Sequence, residues 1–198
     1  MRLLNLGMPK SGTTTLQTAL ERAGLRSAHW YDRRSKRFVG RSMYRNYFAG
    51  RDPLADFVGF DAITQADYVN ETFSYWPQMD HALLGEIRRH HPDCVFVLVT
   101  GDVSQIVSSF YRWNDLIDRL ATTGAPGLPG QFARSPEAVT RWINGHYEAV
   151  RARFADSANF LEVDIEDLEV RAKIENALGL DLPWWGKANV NTAHSAKQ

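Results

Sequence analysis

The segment Asn5 to Leu16, NLGMPKSGTTTL, combines two glycines, one lysine and four hydroxyl side chains within a single loop. Backbone amides, hydroxyls and an ammonium gathered this way serve the binding of a phosphate or a related oxyanion. A nucleotide triphosphatase loop reads G-x-x-x-x-G-K-[ST], with a lysine after the second glycine and a magnesium-binding hydroxyl next to it. Gly7 and Gly12 keep that separation, but Thr13 stands where the lysine would be, and the only lysine of the loop is Lys10. The amides that open the following helix, its dipole and the hydroxyls of Ser11, Thr13 and Thr14 still suit a phosphate.

A second candidate anion site lies in VFVLVTGDVSQIVSSFYRW, where Ser108 and Ser109 follow an apolar strand and Arg112 comes one helical turn after Ser108. For proton transfer the candidates are His29 and Glu71, each just after a predicted strand; no local motif chooses between them. His90 and His91 sit beside Pro92 at a helix end with no cysteine or carboxylate at metal-ligand spacing, so no metal site is expected. The basic run Arg33, Arg34, Lys36, Arg37, Arg41, Arg45 and Arg51, interleaved with Tyr44, Tyr47 and Phe48, reads either as a cover for an anionic ligand or as a solvated helix face with an aromatic inner stripe.

Over Pro9 to Leu16 the sequence resembles the sulfotransferase family, whose PKSGTT-type loop binds the 5′-phosphosulfate end of 3′-phosphoadenosine 5′-phosphosulfate. The weaker likeness extends from about Leu3 to Leu178, through VFVLVTGDVSQIVSSF and FLEVDIEDL, and RWNDLIDRL and PGLPGQF are similar to a bacterial branch of the family. The resemblance implies in-line transfer of a sulfuryl group to a hydroxyl or amine of a small-molecule or glycan acceptor, without a metal. Lys10 would offset charge on the leaving nucleotide, Gly7, Pro9, Lys10, Ser11, Gly12, Thr13 and Thr14 would form the donor loop, and Ser108 or Ser109 would bind the 3′-phosphate. The family's 3′-phosphate arginine falls on Thr100 or Gly101 here, so its charge must come from elsewhere, Arg112 or the basic run being candidates. Two other readings share the loop: an ATP- and magnesium-dependent nucleoside-phosphate kinase or triphosphatase, and a nucleotide-binding protein without turnover.

Positioning these residues requires strands that alternate with helices. RLLNLGM, SAHW, FDAITQ, CVFVLVT and FLEVD read as strands; Ser11 to Ala23, WPQMDHALLGEIRRHH, Asp102 to Leu120, Pro136 to Phe154 behind a Ser135 cap, and Ile165 to Leu178 read as helices. CVFVLVT has the unbroken apolar character of a parallel strand buried on both faces. The expected fold is α/β: a P-loop-type three-layer sandwich with a central parallel sheet flanked by helices, its ligand at the carboxyl ends of the strands. The segment of about 32–56 is expected to be a basic insertion with one short helix. Trp184 and Trp185 are expected to pack the tail on the sheet, while Lys187, Asn189 and Asn191 could approach a nucleotide.

With 198 residues, 44% of them hydrophobic, the chain is long enough for one sizeable core and short for two domains. Lys plus Arg and Asp plus Glu both number 23, so no bulk field draws it to a nucleic acid polymer or an acidic membrane. The lone Cys94, inside an apolar run, excludes a disulfide framework. Neither a signal-peptide core nor a run of about 18 apolar residues occurs, so a cytoplasmic location without a membrane span is expected.

Overall fold

The computed structural model describes residues 1–33, 35–113 and 115–188. Nine strands and seven α-helices are present among them: β1 (Leu3–Asn5), α1 (Thr13–Arg22), β2 (Ser27–His29), β3 (Tyr31–Asp32), β4 (Arg37–Phe38), α2 (Val39–Phe48), β5 (Ala62–Gln65), β6 (Tyr68–Val69), β7 (Ser74–Tyr75), α3 (His81–His90), β8 (Val95–Thr100), α4 (Val103–Arg112), α5 (Leu116–Thr123), α6 (Pro136–Phe154), β9 (Phe160–Asp164) and α7 (Val170–Leu178). Five strands form a parallel sheet in the order β2-β5-β1-β8-β9. The protein is therefore α/β with a central parallel sheet flanked by helices.

Strand alternation sorts the core onto the two faces of this sheet. Leu3, Val97, Val99 and Val163 meet Leu16 and Leu20 of α1 and Ile174 and Leu178 of α7 on one face. Leu4, Phe96 and Leu98 meet residues of α2, α3, α4, α5 and α6 on the other, including Met43, Leu84, Phe110, Leu120, Ile143 and Phe154. β8 lies inside the sheet, between β1 and β9, and is buried on both faces, which accounts for its unbroken apolar sequence. None of the described helices is long and apolar enough to cross a membrane.

The connection after β1 leads to the edge strand β2, whereas that after β8 leads to β9 at the opposite edge. Loops that leave neighbouring strands in opposite directions open a crevice at the carboxyl end of a parallel sheet. The Gly7 to Gly12 loop lies at that switch point.

Several boundaries differ from expectation, each for a local reason. α1 starts at Thr13 rather than Ser11, because Ser11 turns its amide and hydroxyl onto the Met8 carbonyl and Gly12 adopts φ 95°, outside the helical region. The expected helix from Asp102 to Leu120 is two helices, broken where Trp113 takes an extended conformation. α7 starts at Val170 rather than Ile165, since Asp164 and Asp167 accept the amides of Glu166 and Glu169 in turns. The two short hairpins β3–β4 and β6–β7 carry no sequence signal long enough to read and were missed.

The basic segment 32–56 contains α2 and, apart from Tyr31, the β3–β4 hairpin. Arg37 and Arg45 both pair with Asp56, Arg51 donates to Asn46, and α2 buries Val39 and Met43 rather than its arginines. Arg34 lies outside the described residues, as do Asn189 and Asn191.

Candidate functional site

A cavity of about 870 Å³ opens beside the Gly7 to Gly12 loop, walled by α1, the β6–β7 hairpin and the α4–α5 junction. The loop is held from behind. Asn5 donates its amide to Thr64 O (2.9 Å) and accepts the Gly7 amide (2.9 Å), while buried His146 bonds Leu6 O at 2.8 Å. Because that carbonyl is an acceptor, His146 Nε2 carries the proton.

Lys10 is the point of interest in this loop. Its φ of 70° places a non-glycine residue in the left-handed region, which persists only where surrounding contacts impose it. Its ammonium lies over the Trp113 ring, 3.4 Å from the centroid. Burial, and secondarily the Arg112 guanidinium, lower its pKa to about 8. Trp113 occupies this position because the α4–α5 break takes it out of the helix.

Among the described residues no side chain caps α1, and its first helical bond runs from the Leu16 amide to Gly12 O at 3.0 Å. The amides of Thr13, Thr14 and Thr15 therefore have no earlier helical carbonyl to bind and are available to an anion. Ser11, by contrast, is buried and donates its hydroxyl to Met8 O at 2.7 Å, so it shapes the loop and is turned from the cavity. Thr13 also spends its hydroxyl inside the protein, on Gln65 Oε1 at 3.1 Å.

Of the residues singled out in the sequence, Pro9, Lys10, Gly12, Thr13, Thr14, His29, Glu71 and Ser109 border the cavity, whereas Gly7 and Ser11 support it. Ser108 and Arg112 do not border it; Arg112 donates to Ser108 Oγ at 2.6 Å on the exposed side of α4. None of the described arginines and lysines of the basic segment reaches it either, because α2 turns its apolar face inward. At the end of β8, Thr100 donates its hydroxyl to Val163 O at 3.2 Å and Gly101 faces Ile165, so neither offers a cation. Trp184 and Trp185 pack against the α1–α7 face, and Lys187 borders the cavity.

His29 follows a β-bulge in β2, which re-aims its side chain. Thr64 donates its hydroxyl to Ala28 O (3.2 Å) and so accepts from His29 Nδ1 (3.0 Å), leaving Nε2 as the basic nitrogen. Burial pushes the His29 pKa down to about 4. Glu71 is exposed in the turn of the β6–β7 hairpin.

Among the cavity residues that sequence reasoning missed are Gln65, Asp67 and Arg119. Asp67 is 4% exposed and held by two glutamine amides. Arg119 donates to Val69 O at 2.7 Å and lies beside Asp115. Beyond them Trp30, Tyr68 and Trp76 give the cavity an aromatic wall, with Trp30 and Tyr68 stacked at 5.5 Å. Among the described residues no three His, Cys, Asp or Glu side chains converge as metal ligands.

No known family model matches the chain, and no curated protein sequence matches it significantly.

Proposed function

We propose that the protein is a P-loop-type sulfotransferase, moving a sulfuryl group from 3′-phosphoadenosine 5′-phosphosulfate to a hydroxyl or amine of a small-molecule or glycan acceptor. The placement of Lys10 carries this reading. Its ammonium borders the same cavity as the free amides of α1, while the position that a triphosphatase gives to lysine is filled by Thr13, bonded to Gln65. An ammonium in the middle of the loop suits charge developing on the oxygen that links phosphate to the leaving sulfuryl group.

The residues present fit such a donor. Glycine at positions 7 and 12 lets the loop lie against β8 and Ile165, where a Cβ would collide, and a cavity of about 870 Å³ has the size of sites that enclose a ligand of nucleotide dimensions. The amides of Thr13, Thr14 and Thr15 hold the 5′-phosphosulfate. Ser109, on the cavity wall, contributes its hydroxyl to the 3′-phosphate. The aromatic wall and Arg119 leave an acceptor region distinct from the loop.

This assignment separates the two serines. Ser109→Ala is expected to weaken binding of 3′-phosphoadenosine 5′-phosphate about tenfold, as for loss of one hydrogen bond to a charged group. Ser108→Ala, whose hydroxyl accepts from Arg112 outside the cavity, should change it less than about twofold. Titration calorimetry on the two variants reads both.

The reading itself is tested by calorimetry with 3′-phosphoadenosine 5′-phosphate, adenosine 5′-phosphate, and ATP with magnesium. Binding that requires the 3′-phosphate supports it. Binding of ATP with magnesium alone would assign the loop to a kinase or triphosphatase, and binding of none of the three would remove the nucleotide donor.

A further inference from the structure

Three carboxylates border the cavity, and they differ in setting. Glu71 and Asp115 are exposed, whereas Asp67 is 4% exposed. Each Asp67 oxygen accepts one amide: Oδ2 from Gln65 Nε2 at 2.9 Å and Oδ1 from Gln78 Nε2 at 2.9 Å. Gln65 in turn accepts the Thr13 hydroxyl at 3.1 Å, so a continuous chain of hydrogen bonds ties this carboxylate to the first residue of α1.

Two features distinguish this arrangement from an ordinary buried hydrogen-bond node. A carboxylate offers about four lone-pair sites, so after the two glutamine amides and its own backbone amide Asp67 can still accept from a ligand in the cavity. Gln78 is oriented with its Nε2 on Asp67 although this leaves its own Oε1 buried without a partner among the described residues. That orientation sacrifices one acceptor to keep both donors on the carboxylate, as expected where the carboxylate is to carry charge.

Resting on the transfer reading above, we infer that Asp67 is the catalytic base, taking the proton from the acceptor hydroxyl or amine. In that step the acceptor oxygen or nitrogen bonds to the donor sulfur as the bond from sulfur to the 5′-phosphate oxygen breaks. The electron pair of the broken bond stays on the phosphate oxygen, near Lys10, and the acceptor proton passes to a carboxylate oxygen of Asp67. No further reactant is needed.

The alternatives are poorly suited to that role. His29 is neutral at physiological pH, but burial makes it a weak base, and Glu71 stands in an exposed turn, open to solvent. Burial raises the Asp67 pKa to about 7, the two glutamine amides and its own backbone amide opposing the rise, which suits a base working near neutrality. The other titratable groups around the cavity are Lys10, His29, Tyr68, Glu71, Asp115, Arg119 and Lys187.

The experiment uses the full chain and the variants Asp67→Asn, Asp67→Glu, His29→Gln and Glu71→Gln. Release of 3′-phosphoadenosine 5′-phosphate from the donor is followed with 2-naphthol as acceptor probe and with water alone, across pH 5.5 to 9, the range that spans the Asp67 and Lys10 transitions near 7 and 8. Binding of the product nucleotide is measured alongside by calorimetry. Asparagine suits the fold, since a flipped Gln78 would offer its unpaired Oε1 to the new amide.

Asp67→Asn is expected to lose about 10²–10³-fold in turnover with nucleotide affinity unchanged within about twofold. Its pH profile should lose the acidic limb, and Asp67→Glu should keep a limb at reduced rate. A purely structural Asp67 would not move that limb. Nucleotide binding with Asp67→Asn turning over within about threefold of the native protein overturns the inference alone. So does an acidic limb that persists in Asp67→Asn and disappears in His29→Gln or Glu71→Gln. Absence of nucleotide binding, or binding without any release from the donor, overturns the transfer reading itself.

Discussion

Lys10→Ala is expected to lower turnover of the sulfuryl donor by about 10²–10³-fold, the scale found when one preorganised charge or donor is removed from a developing oxyanion. The fold should survive the change. Alanine meets the same left-handed backbone that Lys10 already occupies, so the substitution adds no new strain. What it removes is the ammonium's contact with Trp113, worth about 0.5–1 kcal/mol. A thermal melt should therefore coincide with that of the native protein within a few degrees while the rate collapses. Equal loss of stability and rate would instead make Lys10 a structural residue.

The pH dependence supplies a second signature of the same side chain. Lysine must be protonated to offset charge on the leaving oxygen, and in the free protein its pKa is lowered to about 8. kcat/KM should therefore fall as pH rises through about 8, because the charged fraction falls. With Asp67 acting as base, activity rises with pH as its carboxyl ionises, so the two groups together give a narrow bell between about 7 and 8. The like charge of Arg112 contributes to the depression at Lys10, so Arg112→Ala should move the alkaline limb upward.

Much of this site could be read from sequence because its central part is local. Gly7, Lys10, Gly12 and the hydroxyls after it lie within one turn, and strand, turn and helix start are fixed by neighbours in the chain. Asp67 was not legible, because its character comes from burial and from glutamines that reach it from β5 and from the turn preceding α3. In sequence it is one aspartate in QADY. Trp113 likewise looked like the middle of a long helix, and only the break after α4 brings its ring to Lys10. The two serines stayed open for another reason. Spacing puts both on one helix, α4, but helical rotation by one residue decides which meets the cavity, and a one-residue ambiguity in register left that open.

Gly7→Ala should be the most damaging single substitution in the loop, and it tests whether cradle and sheet are one unit. A Cβ at position 7 would overlap the carbonyl oxygen of Val99 and approach Ser11 Oγ to 2.9 Å. Val99 belongs to β8, an interior strand, buried on both faces and paired to β1 and β9, so its carbonyl has no room to retreat. Ser11 is also pinned, through its hydroxyl, to Met8. The strain must then be taken by the loop, which lifts from the sheet and drags the Asn5 and His146 contacts with it. A cost of about 3 kcal/mol follows for overpacking against backbone, and for a chain of this length that corresponds to a melting temperature lower by about 6–12 °C. Anion affinity should fall with it by at least about tenfold, since the amides lose their convergence. Gly145→Ala is the matched control. Position 145 lies within α6 with nothing within 4 Å of an added Cβ, so alanine there should stabilise by about 0.5–1 kcal/mol through helix propensity and a more restricted unfolded chain. If the two variants melt alike, Gly7 is not wedged against β8, and the close approach that builds the cradle is absent in solution.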